Sequence, residues 1–374
     1  MIYIVLSITV IYLILIGLFI WGFDKVNSFY LSDTKPKTSF TVVIPFRNEA
    51  NNLPALLKSV KALAYPKHLF EIIFVDDYST DASVKTIERF KNNNPQSISI
   101  IKNKRTSNSP KKEAITTAIE ASKYDWVITT DADCTVPKYW LDSFDAFIQT
   151  TKSKCVVAPV KFQQGQTFLN RFQVLDMLSL QGATVGGFGI GKPFLCNGAN
   201  LGYEKTLFYE LHGFEGNTHI ASGDDIFLLE KALKHLPKQV NYLKCEKAIV
   251  TTLPETLWTS YIEQRTRWAS KTKAYKNGYG KLIGLFVFCM NLLICSLLLL
   301  SLLGFFSFKL YLYVIFIKFN IDLYLIYKSA LFFDQKDSLK SYFTSFIVYP
   351  FISTYIAFHA LFSSYTWKGR TFRR

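Results

Sequence analysis

Three stretches of this chain contain no Lys, Arg, Asp or Glu: 1–23, 282–308 and 341–367. As helices, each is long enough to cross a hydrocarbon core of about 30 Å. A fourth stretch, 310–327, is apolar and aromatic but holds Lys318 and Asp322. Those two stand one helical turn apart and can neutralise each other. Segment 1–23 lacks a basic start and a small-residue cleavage site, so it reads as a retained anchor. The remainder, 24–281, alternates. Apolar, β-branched runs at 40–45, 70–75, 97–101 and 125–130 predict strands. Between them, helical spacing runs over 52–63, with Leu53, Leu56, Leu57 and Val60 on one face, and then over 79–90, 110–122 and 137–149. Strands separated by helices predict an α/β fold with a mostly parallel, helix-covered sheet. Further on, 155–160 is strand-like, and helices are expected near 167–181, 204–211, 223–236 and 255–276. The glycine-rich 182–191 reads as a mobile loop.

This pattern divides the chain into an N-terminal transmembrane anchor (1–23), a polar domain (24–281), a C-terminal membrane region of two to three hydrophobic segments (282–367) and a basic tail (368–374). Charge then orients it. The net charge is +15, and basic residues crowd both membrane ends of the polar domain: Lys25, Lys35 and Lys37, then Lys271, Lys273, Lys276 and Lys281. Such a bias places 24–281 in the cytosol, the lipid bilayer and its anionic headgroups accounting for the charge. No nucleic-acid module is present, so nucleic acid is not an expected partner. Four crossings would put both termini outside, whereas the basic tail favours the cytosol. Either one C-terminal segment lies in the interface, 310–327 first, or the tail departs from the rule. The six cysteines show no metal-ligand spacing and are expected to be reduced thiols.

Chemistry concentrates at the ends of the expected strands, which is where ligands bind in open α/β sheets. Asp76 and Asp77 follow one apolar strand, and Asp131-Ala132-Asp133 follows another. Two carboxylates one residue apart can hold a divalent cation and leave its other positions to phosphate and water. Asp224-Asp225 forms a third acidic pair. Gln264, Arg267 and Trp268, at i, i+3 and i+4, share one face if 255–276 is helical.

Taken in order, Val43-Ile44-Pro45-Phe46-Arg47-Asn48-Glu49, Val75 to Asp81, Asp131-Ala132-Asp133, Asp224-Asp225 and the Gln264/Arg267/Trp268 set resemble glycosyltransferase family 2. The resemblance covers about 40–276, and the flanking segments resemble that family's membrane-bound branch, with enzymes like ceramide glucosyltransferase and polysaccharide synthases. It implies a GT-A domain and an inverting, metal-dependent transfer from a nucleotide-diphosphate sugar, UDP-linked as first expectation. In that scheme Asp77 and Asp76 contact the nucleotide. Asp133 and Asp131 bind Mg²⁺ or Mn²⁺ bridging the diphosphate, and Asp131 thereby also contacts the donor. Lys111 reaches donor phosphate, although Pro110 stands where the family has glycine, and Lys112 is the alternative. Asp225 is the base, and Asp224, in place of the usual Glu, orients it. Arg267 neutralises the leaving diphosphate, while Gln264 and Trp268 form the acceptor pocket.

The few membrane segments point to a membrane lipid as acceptor at the cytosolic face, in the cell membrane. A growing polysaccharide comes second. An inactive scaffold is third, disfavoured because every acidic landmark is retained. Gly186 and Gly191-Lys192 mimic a phosphate-binding loop until Pro193 replaces the Ser/Thr it requires, and His212, His219 and His235 lack ligand spacing.

Overall fold

The computed structural model describes residues 1–362, 365–367 and 370–372; Lys368, Gly369, Arg373 and Arg374 of the expected tail lie outside them. Two compact units emerge. One comprises residues 27–161 and 195–253, the other 1–26, 162–194 and 254–374.

The first unit is α/β. Its seven-stranded sheet runs, edge to edge, Ser97–Lys102, Phe70–Asp76, Phe40–Phe46, Trp126–Thr129, Leu201–Glu204, Cys155–Val157 and Val240–Tyr242. The first four strands are mutually parallel, and Leu201–Glu204 runs antiparallel to both its neighbours. Val42, Val43, Ile44, Ile72, Phe74, Val127 and Ile128 are all buried, as continuous apolar runs require when both faces are covered. Register decides where the acidic residues emerge. Phe46 is level with Asp76, and Val43 with Thr129, so Asp76-Asp77 and the Asp131 turn leave the sheet at the same edge.

The second unit is helical. Four of its helices, Ile2–Lys25, Gly278–Leu302, Phe308–Phe332 and Lys336–Phe362, are long and apolar enough to cross a membrane. Lys318 Nζ lies 2.5 Å from Asp322 Oδ2, and Tyr12 Oη donates to Asp322 Oδ1 at 2.7 Å. The expected pair therefore forms, with a third partner that spacing alone did not suggest.

The expected loop at 182–191 is corrected. Residues Phe168–Gly189 form one continuous helix, and its glycines are contact points. A Cβ on Gly189 would lie 1.8 Å from the Gly22 carbonyl oxygen, and one on Gly186 would lie 2.4 Å from that of Phe19. On Gly182 it would meet Ser329 Oγ at 2.6 Å. Small residues let helix backbones touch where apolar burial no longer drives association. Glycine here is a packing residue.

Candidate functional site

The acidic triplet forms the turn after strand Trp126–Thr129. Asp131 Oδ1 lies 2.7 Å from Lys111 Nζ, which also approaches Asp224 Oδ2 at 3.4 Å. Lys111 sits in the first turn of helix Pro110–Ala121, where proline is tolerated because its missing N–H has no partner in a helix anyway. Asp224 and Asp225 open helix Asp224–His235 behind Gly223, whose φ of 87° is a left-handed conformation suited to glycine. Asp225 Oδ2 accepts from the Gly198 amide at 3.0 Å, and its Oδ1 from the Ile226 amide at 2.8 Å. Thr129 Oγ1 holds the Gly198 carbonyl at 2.7 Å. A Cβ on Gly198 would lie 2.8 Å from Asp224 Oδ2, so the close approach needs glycine.

Burial alone would lower the Lys111 pKa, but Asp131, Asp224 and Asp225 outweigh it and raise the ammonium above its ordinary value. One ammonium among three carboxylates leaves the site net negative, ready for further positive charge. Asp133 is half-buried, and the Cys134 thiol points at its Oδ1 from 3.5 Å. Burial, then Asp133 and Asp131, push that thiol's pKa up, so it stays protonated. Among the described residues no group of three His, Cys, Asp or Glu side chains could enclose a metal ion. Two carboxylates from one turn nevertheless fit Mg²⁺ or Mn²⁺, cations that keep most positions for phosphate and water.

At the end of strand Phe70–Asp76, the two expected nucleotide contacts, Asp76 and Asp77, differ. Asp76 Oδ1 accepts from the Ser79 amide at 2.8 Å and holds the turn. Asp77 Oδ1 accepts from Asn103 Nδ2 at 2.8 Å and Arg105 Nε at 2.6 Å. The Arg105 guanidinium lies 4.4 Å from the Tyr78 ring centre, and Arg47 Nη1 donates to the carbonyls of Asp77 and Tyr78 at 2.7 and 3.0 Å. Sequence reasoning missed Asn103, Arg105 and Gly198. Asn103 follows directly on strand Ser97–Lys102, which runs one residue past the end expected from the apolar run 97–101. Lys112, the alternative phosphate contact, turns elsewhere. It is 1% exposed and donates to the carbonyls of Asn217 and Ile220 at 2.7 and 2.9 Å.

Gln264, Arg267 and Trp268 belong to the helical unit, on helix Trp258–Ser270. Gln264 Nε2 donates to Glu255 Oε1 at 3.1 Å, and Ser270 Oγ donates to the Arg267 carbonyl at 2.9 Å. The Trp268 ring is backed by Arg265, whose guanidinium carbon lies 4.1 Å from the ring centre. Arg265 Nε pairs with Asp176 Oδ2 at 2.7 Å, both side chains buried, and Tyr261 Oη donates to the same carboxylate at 2.9 Å. Burial alone would lower the Arg265 pKa, but Asp176 reverses the direction. Neither Arg265 nor Asp176 was foreseen. Asp176, the single acid in 168–189, was the available signal, since a buried charge needs a partner.

Residues 41–211 match the model of glycosyl transferase family 2. The poly-beta-1,6-N-acetyl-D-glucosamine synthase of Staphylococcus epidermidis is 23% identical over 230 residues, which is 59% of this chain and 52% of that protein. The undecaprenyl-phosphate 4-deoxy-4-formamido-L-arabinose transferase of Pseudomonas fluorescens is 33% identical over 135 residues, 35% of this chain and 38% of that protein. The chain thus spans about half of the former and over a third of the latter. Among solved structures, the mannosyltransferase PcManGT from Pyrobaculum calidifontis, in complex with GDP-Man and Mn2+, aligns with a TM-score of 0.58 at 16% identity, covering 96% of this chain and 98% of that one. The match to glycosyl transferase family 2 thus covers residues 41–211, and the α/β unit that holds most of them has the GT-A fold.

Proposed function

We propose that this protein is an inverting, metal-dependent glycosyltransferase that moves a sugar from a nucleotide-diphosphate donor to a membrane lipid at the cytosolic face. The observation carrying this reading is the cluster of Lys111, Asp131 and Asp224, with Asp225 held by two backbone amides beside it. Asp77 holds the nucleotide, and Asp76 shapes the turn beneath it. Asp133 and Asp131 would hold a divalent cation, which when bound would supply positive charge near the leaving diphosphate. Lys111 and Arg267 add their own. Asp225 takes the proton from the acceptor hydroxyl as that oxygen attacks the anomeric carbon. The bond from that carbon to the diphosphate oxygen breaks on the opposite face, which inverts the configuration. Gln264 and Trp268 line the acceptor pocket, the indole offering a flat face to a sugar or an apolar tail.

A lipid acceptor is supported by the four helices able to cross a membrane and by the lipid-linked relative from Pseudomonas fluorescens. The synthase from Staphylococcus epidermidis supports the second reading, a growing polysaccharide. UDP is the expected carrier, and the GDP-Man bound to the archaeal neighbour makes GDP the control. Membranes holding the protein are incubated with labelled UDP- and GDP-sugars, and the lipid extract is analysed by mass spectrometry. A new glycolipid is the expected product. Label confined to water-soluble or insoluble polymer would favour the second reading, and no transfer from any donor would refute both.

A further inference from the structure

Lys111 and Lys112 are adjacent in the first turn of one helix, yet they serve different neighbours. Lys111 faces Asp131 and Asp224. Lys112 is almost fully buried, and its ammonium donates to the carbonyls of Asn217 at 2.7 Å and Ile220 at 2.9 Å. It also lies 4.7 Å from the ring centre of Phe227, on the helix that Asp224 and Asp225 open. Ser109, one residue before that turn, donates its hydroxyl to the same Ile220 carbonyl.

The segment so held, 211–223, leads directly into the acidic pair. Four of its residues, His212, Gly213, Gly216 and Gly223, have φ between 46° and 87°. Such a path has no regular ladder to fix it. Its front half is tied to the helix that follows it: Lys231 Nζ donates to the carbonyls of Leu211, Gly213 and Glu215 at 3.1, 2.7 and 3.0 Å. Those bonds let loop and helix shift together. The bonds from Lys112 and Ser109 reach a different element, the helix whose Lys111 faces the carboxylates. They tie the segment before Asp225 to the helix whose Lys111 faces Asp131.

We propose that Lys112 is a positioning residue for transfer: it anchors the 211–223 loop, and with it the start of the Asp225 helix, to the turn that carries Lys111. The proposal rests on Asp225 being the base. A displacement of about 1 Å in a reacting group can cost about 100-fold in rate, so the effect belongs to turnover and not to nucleotide affinity.

The test uses the full chain in detergent, with hydrogen exchange over 211–223, affinity for UDP and GDP with Mn²⁺, and turnover with the nucleotide sugar that labels wild-type lipid extract. Lys112→Met should speed exchange in the loop and lower turnover about 10–100-fold while nucleotide affinity stays within about twofold. Lys112→Arg, which can still donate to two carbonyls, should restore part of the turnover. Ser109→Ala should move exchange and turnover the same way by less, and it carries the test if Lys112→Met does not fold. Unchanged exchange, unchanged turnover, or nucleotide affinity lost in parallel with turnover would each overturn the proposal. Wild-type turnover in Asp225→Asn would instead overturn the base assignment, leaving the loop's exchange in Lys112→Met as a separate result.

Discussion

The two units use charge in opposite ways. In the α/β unit, charged groups gather beyond the ends of strands, where Asp131 keeps 35% of its side chain exposed and carboxylates outnumber the lysine beside them. In the helical unit, Arg265 and Asp176 are 7% and 6% exposed and paired one to one, and Lys318 with Asp322 follows the same rule. An unbalanced, partly wet cluster can accept a charged ligand. A balanced, dry pair is complete and holds helices in place. The contrast holds for these clusters and not for every charged group, since Asp77 in the α/β unit is itself paired with Arg105 at 2.6 Å.

The largest expected effect comes from deepening the imbalance or removing it. Asp133→Ala should lower transfer by about 10³-fold or more, because Lewis-acid stabilisation of a leaving group is worth several kcal/mol. The same loss should appear when a chelator is added to wild type and vanish when Mn²⁺ is restored. Full turnover in excess chelator would break the comparison at its strongest point.

Next comes the proposed base. Asp225→Asn should cut turnover about 10²–10⁴-fold with UDP affinity preserved, the usual share of a positioned general base. Asp224→Asn should cost less. Should Asp224→Asn prove the more damaging, the base lies one residue earlier.

The helical unit answers a different measurement. Asp176→Asn or Arg265→Met leaves one partner of a buried pair alone, which costs about 3–5 kcal/mol of stability. The double variant Asp176→Leu with Arg265→Met should recover most of the thermal midpoint, because nothing charged is left stranded. Failure of the double variant to recover stability would show that the pair does more than hold the scaffold. The smallest effect should come from Asp24→Asn. Asp24 pairs with Lys328 at 2.6 Å in the last turn of its helix with 59% of its side chain uncovered by protein, and a surface pair contributes about 1 kcal/mol or less.

Legibility in the sequence followed the same divide. Strands 40–46, 70–76 and 126–129 could be read because burial on both faces demands unbroken apolar runs, and the acidic residues stood out where those runs stopped. Lys111 was ranked ahead of Lys112 by resemblance alone, since adjacency carries no sign of which lysine is 1% exposed. The helix through Gly189 was misread because glycine signals a turn in water and close packing between apolar helices. Arg265 was passed over because helical spacing selects Gln264, Arg267 and Trp268 on one face, whereas its partner Asp176 is distant in sequence. Local pattern reports periodicity and chain breaks; pairings across long separations need the fold.

The contact of Gly22 with Gly186 and Gly189 bears on how the chain is made. The Ile2–Lys25 helix leaves the ribosome well before its partner: at about 5–20 residues per second, the intervening chain takes roughly ten to thirty seconds to appear. Throughout that interval the glycine seam of the first helix has no mate, while residues 27–161 are already being synthesised. Any bulky residue at Gly22, Gly186 or Gly189 would leave that seam unmated after synthesis ends, and the finished chain would present to quality-control proteases a groove that the wild-type chain shows only during its synthesis. Loss of abundance, ahead of any loss of catalysis, is the expected phenotype of changes along this seam.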